Sequence, residues 1–156
     1  MKSLHLLVAL FFSVSLIAQT PDAYTKIESD EVPNEVMETF MQLHPKPIEV
    51  KWGSFNDEFQ AKHKHNEHIV YSRFNAEGLH RNDLTQMNWE KEASKKLKDS
   101  KNRSFYKHWD VIEFYQKESS TGDLSYTLQL KNEDNELGTI YFDSEGGLDE
   151  KSKSAY

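Results

Sequence analysis

The sequence predicts an α+β fold: tandem αβββ repeats forming one antiparallel sheet, with the helices packed on one face. Three observations predict it. Phe74-Asn75-Ala76-Glu77-Gly78 returns as Phe142-Asp143-Ser144-Glu145-Gly146. Each copy closes a stretch that reads as one helical pattern followed by three strand patterns, too small to hold a core of its own. No cysteine occurs in the 156 residues, so packing between sheet and helices must supply the stability that disulfides or Cys-bound metal would otherwise give.

Met1-Lys2 precedes a nearly unbroken apolar run over residues 4–17, with the small residues Ser13, Ser15 and Ala18 near its end. This reads as a secretory signal peptide, 1–18, cleaved after Ala18. A run of roughly 14 residues is short of the ~20 needed to span a bilayer. The expectation is a periplasmic or secreted protein with no stable membrane insertion after the leader is removed. Residues 19–31 read as a flexible N-terminal segment, 32–80 as the first repeat and 88–150 as the second, both in one domain. The formal charge of −7 argues against nucleic acid or an anionic membrane surface as partner. Nine Phe, seven Tyr and three Trp are ample for the core of a small domain.

Glu31-Val32-Pro33 starts the first helix, since proline fits a first turn where its missing N–H costs nothing. Val32, Val36, Phe40 and Leu43, with Met37 and Met41, form one helical stripe. Pro45 and Pro47 end it. Ile48, Val50 and Trp52 alternate with polar residues, the period of a half-buried strand. A turn over residues 53–57 leads to Phe59 and Ala61 in the next strand. Asn66-Glu67 turns the chain into a third strand, 69–74. Residues 80–87 read as a linker.

The second repeat opens at Asn88, a good N-cap. Trp89, Ala93 and Leu97 share one helical face, and Asn102 breaks the pattern. Strands follow at 109–117, 124–130 and 137–142, joined by turns at 119–123 and Asp134-Asn135.

Val32-Pro33, Phe40, Leu43-His44-Pro45, Val50-x-Trp52, Phe59-x-Ala61 and Phe74-Asn75-x-x-Gly78 resemble the PepSY-like family of exported bacterial proteins. That family is grouped with the beta-lactamase inhibitor protein for a similar helix-plus-sheet fold. Residues 32–80 match its pattern best. Residues 88–150 match it less, lacking the Val-Pro start and the proline after the helix. The resemblance implies an exported protein with no established catalysis that binds or inhibits another protein.

Two chemistries stand out among the residues themselves. His63, His65 and His68 lie on one hairpin, and converging imidazoles could bind a transition metal or anchor a small ligand. Against that, His63 continues the inward row of Phe59 and Ala61, and hairpin tips are commonly polar. The second is the sheet face turned away from the helices. If Val50, Trp52, Phe74, Ile112, Phe114, Ile140 and Phe142 face the helices, alternation sends Tyr71, Arg73, Trp109, Val111, Tyr115, Leu137 and Tyr141 the other way. Tyr, Trp and Arg are the residues of interface hot spots. The function expected is a non-enzymatic binding module. It needs no cofactor and uses Tyr71, Arg73, Trp109, Tyr115 and Tyr141 against an unknown exported or envelope protein. No nucleophile elbow or acid–base pair points to an enzyme.

Overall fold

The computed structural model describes residues 23–153. The expected signal peptide and the first residues of the N-terminal segment lie outside them. Among the described residues one eight-stranded antiparallel sheet carries the strands in chain order. They are β1 (Thr25–Ile27), β2 (Ile48–Phe55), β3 (Glu58–His65), β4 (His68–Asn75), β5 (His80–Met87), β6 (Asp110–Ser119), β7 (Leu124–Lys131) and β8 (Leu137–Phe142). The helices are α1 (Asn34–Leu43), α2 (Trp89–Glu92), α3 (Lys95–Arg103) and α4 (Glu150–Lys153). No described helix is long and apolar enough to cross a membrane.

Two strands depart from the sequence reading. Residues 80–87, expected as a linker, form β5, which pairs with β4 on one side and β6 on the other. Its sequence shows little apolar alternation because Leu84 is its one buried residue. Partners on both edges, which satisfy its backbone groups, decide the strand here rather than its own propensity. The N-terminal segment contributes β1 and a short 3-10 turn at Ser29–Glu31. β1 lies along β2, with Lys26 opposite Gly53. A Cβ on Gly53 would stand 3.0 Å from the Tyr24 Cβ, so glycine there is what admits the neighbouring chain. The expected turn at 53–57 is accordingly shorter. β2 runs to Phe55, and Asn56 and Asp57, both at positive φ, make a two-residue hairpin loop.

The helices pack on one face of the sheet. α1 follows Pro33 and buries Val36 and Phe40. Met41 and Leu43, expected on its inner stripe, are exposed, because α1 meets the sheet along a narrow line. The single second helix is in fact two. Asn88 accepts from the Lys91 N–H and Ser94 accepts from the Leu97 N–H. The second cap interrupts the helix at Ala93 and starts α3, which continues past Asn102 to Arg103.

Each helix covers its own apolar cluster. Val32, Val36, Phe40, Trp52, Ala61 and Phe74 form the first. Leu97, Phe114, Leu128, Leu130, Ile140 and Phe142 form the second. The recurring Phe-x-x-x-Gly motif closes both. Gly78 N–H donates to the Asn75 carbonyl and Gly146 N–H to the Asp143 carbonyl, each at 3.0 Å. The Asn75 and Asp143 side chains each accept a further backbone N–H, from Leu79 and Gly147. Both glycines have positive φ and abut a helix, Gly78 at Glu35 and Gly146 at Leu97.

A β-bulge in β6 corrects the expected face of three residues. Register shifts between Val111 and Glu113, so Ile112 is extra, and it is exposed. Val111 and Trp109 therefore pack on the helix side with the second cluster, not on the opposite face. Trp109 and Tyr106 sit over Gly138, where a Cβ would meet the Tyr106 ring at 2.6 Å.

Candidate functional site

The face opposite the helices is built from register. One row runs Lys51, Lys62, Tyr71, Leu84, Lys117 and Ser125 through β2 to β7. Beside it runs Lys64, Ile69, Gln86, Tyr115, Thr127 and Tyr141. On the other flank runs Lys26, Gly53, Gln60, Arg73, Asn82 and Ser119. Side chains on one face of neighbouring strands interact directly, and the middle of these rows closes over itself. Tyr71, Leu84 and Tyr115 form a third apolar cluster with Ile69 packed against it. The Tyr71 and Tyr115 rings meet edge to face at 6.2 Å.

This packing changes the expected character of the site residues. Tyr71 and Tyr115 retain 6% and 3% of their exposure, and Arg73 is equally buried. They form the floor of the face, where the sequence reading had them standing proud of it. Tyr141 is half-buried on the same face, and burial raises its hydroxyl pKa. Trp109 leaves the set, being on the helix side. Only the bulge at Ile112 distinguishes these cases, and bulges carry no sequence signature strong enough to read.

Cations lie over aromatic faces here. The Lys62 ammonium stands 5.2 Å from the Tyr71 ring centre, and the Arg73 guanidinium 5.1 Å from that of Tyr24. Arg73 Nε donates to the Gln60 side-chain Oε1 at 3.0 Å. Tyr24 donates to the Glu58 carboxylate at 3.0 Å. Burial, with Glu58 adding to it and Arg73 opposing, pushes the Tyr24 hydroxyl up to about 12. The sequence reading missed Tyr24, Leu84, Lys62 and Lys117. Strand alternation could have found Lys62, which shares a side with Gln60. Leu84 and Lys117 required knowing that residues 80–87 are a strand.

The histidine hairpin does not converge. His63 points beneath α1, with its ring 5.2 Å from Phe40 and 4.4 Å from His44. Its Nε2 is 3.0 Å from Ser72 Oγ, which is also 3.0 Å from His44 Nε2. His65 is exposed at the tip, and His68 pairs with Glu92 at 2.7 Å. Among the described residues no three His, Cys, Asp or Glu are grouped to hold a metal ion. The His63 network continues to Asp83, which lies 3.0 Å from His80 and 4.0 Å from His44. Burial drives the His63 pKa down to about 4, with His44 adding to the shift. Burial also lowers His44, though Asp83 opposes it. For Asp83, burial alone would raise the pKa, but hydrogen bonds from His80 and Ser72 outweigh it and hold the pKa below the ordinary value. Ser, His and Asp thus meet, yet Ser72 has no exposed surface. A hydroxyl there reaches no substrate.

Solved structures from Bacteroides share this fold. A DUF2874 family protein from Bacteroides ovatus matches with a TM-score of 0.68 at 19% identity, over 74% of this chain and 83% of that one. A BLIP-like protein from Bacteroides fragilis matches with a TM-score of 0.64 at 17% identity, over 74% and 82%. A presumed periplasmic protein from Bacteroides eggerthii gives a TM-score of 0.69 at 13% identity, over 75% and 85%. At such identities the likeness shows the fold alone, an α+β sheet of BLIP-like type. No family model and no curated protein matches the chain, so the PepSY-like resemblance rests on the residues quoted above.

Proposed function

We propose that this chain is an exported, non-enzymatic binding protein that takes a protein partner on the sheet face opposite its helices. The observation that carries the reading is the third apolar cluster. Tyr71, Leu84, Tyr115 and Ile69 gather on the side away from α1 and α3, separate from both helix-covered cores. A small domain does not need a third cluster to hold its helices, and interfaces are organised around such packed aromatic centres with a polar rim. The expected leader, the BLIP-like fold and the presumed periplasmic neighbour agree with export. The burial of Ser72 within its histidine network argues for a structural role there and against hydrolytic chemistry. The two halves, each closed by the same glycine turn, are read as copies of one unit.

The test uses the full chain, tagged and expressed in its own host, with captured partners identified after cross-linking. Tyr141→Asp places a charge on the half-buried rim and should reduce capture per folded molecule at least about tenfold, as for a hot-spot position. Lys95→Glu, on exposed α3, should leave capture unchanged. The opposite pattern, loss with Lys95→Glu and none with Tyr141→Asp, would place the interface on the helices. Tyr71→Ala and Tyr115→Ala are poor probes, because their burial makes them destabilising in themselves.

A further inference from the structure

The chain carries 26 acidic and 19 basic residues, so any sizeable surface should average acidic. The three central rows of the open face do not. They hold Lys26, Lys51, Lys62, Lys64, Arg73 and Lys117, and the paired positions between them hold no carboxylate; Asp123, against Ser119, follows the third row at its far end. The carboxylates of this face lie in the rows at its ends, Glu58 on one side and Asp110 and Glu113 on the other. Lys26 meets Glu28 and Lys64 meets Glu49, carboxylates from outside the rows. In the middle row Lys62 rests on the Tyr71 ring instead. Lys117 stands across Leu84 from it. A cationic pair therefore brackets an aromatic and aliphatic floor, on a protein whose overall charge repels anions.

We propose that the open face takes an acidic, extended polypeptide segment of its partner, with two carboxylates bracketing an apolar side chain. This rests on the binding-face reading and names the partner's chemistry. The spacing follows from the sheet. Lys62 on β3 and Lys117 on β6 are three strand spacings apart, about 14 Å. An extended segment crossing the strands covers that distance in about four residues. Its central side chain then lies over Tyr71 and Leu84, and its flanking carboxylates reach the two ammonium groups. Long-range attraction is not the driving term, because the net charge opposes it. Local complementarity selects a short acidic stretch over an extended polyanion, whose remaining charges would face the protein's acidic surroundings.

The experiment measures fluorescence anisotropy of a labelled peptide carrying glutamates four residues apart around a leucine. Controls replace the glutamates with glutamine or lysine. The acidic peptide should bind the full chain at least about tenfold more tightly than either control, and less tightly as salt rises. Lys62→Glu with Lys117→Glu should reverse the preference towards the lysine peptide. Lys62→Gln with Lys117→Gln, which removes charge without adding any, should abolish the preference, and a thermal melt of each variant reports folding. Equal binding of the glutamate and glutamine peptides would remove the acidic partner while leaving the binding face in place. No measurable binding of the acidic peptide would overturn the proposal too. So would equal binding of single-stranded DNA or phosphatidylglycerol vesicles with the same variant dependence, which would make the face a general polyanion surface. The Tyr141→Asp capture experiment reads the face without reference to these lysines, so the two readings fail separately.

Discussion

The two helix-covered halves solve the same packing problem in opposite ways. In the first half the helix supplies the bulk. Phe40 reaches down from α1 and meets Trp52, His63 and Phe74 edge to face. In the second half the strands supply it, through Phe114, Leu128, Leu130, Ile140 and Phe142, while lysine-rich α3 buries only Leu97 and Ser100. The difference has a consequence for the sheet beneath. Under the apolar α1, strands β3 to β5 carry a polar chain, buried His63 and Ser72 and half-buried Asp83, and His44 at the end of α1 joins it. Under the polar α3 the strand positions are hydrocarbon. Apolar area is contributed once per half, by whichever layer has it, and the other layer is then free to be polar.

The largest effects should break this asymmetry at its centre. Phe40→Ala removes the ring that meets Trp52, His63 and Phe74 and should destabilise by about 3–5 kcal/mol in urea melts. Leu97→Ala removes less and should cost about 2–3 kcal/mol, since the second core is held mainly by its strands. Equal losses would mean that α3 carries as much as α1.

Acid should act on the first half. Above about pH 6.5 His63 is neutral in both folded and unfolded chains, and stability is at its full value. As pH falls below 6.5 the unfolded chain takes up a proton that folded His63 refuses until about pH 4. Stability should therefore drop by about 3 kcal/mol across that window and then level off. His44, also lowered, acts in the same direction, and Asp83 adds its loss only further down, through its own lowered pKa. Urea melts between pH 7 and pH 4 check the slope, and a His63 resonance titrating near 6.5 would remove its cause.

The matched glycines give a finer comparison. Both would be strained by a side chain at positive φ, but Gly78 has less room. A Cβ there meets the Glu35 carbonyl oxygen at 2.5 Å, whereas at Gly146 the nearest atom is Leu97 Cγ at 3.2 Å. Gly78→Ala should cost about 2–3 kcal/mol and Gly146→Ala about 1–2 kcal/mol. Smallest of all, Ser94→Ala removes the cap that starts α3 and should cost about 1 kcal/mol. A thermal melt showing no loss would mean that α3 is positioned by packing alone.

The sequence by itself determined the α+β class with one antiparallel sheet, three strands of each half, α1, the capping Asn88 and the paired glycine turns. These follow from patterns within a few residues of one another: period-2 alternation, a helical stripe, a residue that tolerates positive φ. It determined His63 as an inward residue for the same reason, because it continues Phe59 and Ala61. Tertiary structure decided what depends on neighbours distant in the chain. β5 is a strand because β4 and β6 lie on either side of it. Trp109 and Val111 face the helices because one extra residue at Ile112 resets the alternation. Ser72, His44 and Asp83 join His63 only when α1 closes over β4 and β5. The cationic rows are the clearest case. Lys51, Lys62 and Lys117 are scattered through the sequence, outside the lysine-rich stretch of α3, and only antiparallel register across β2 to β6 sets them in a line.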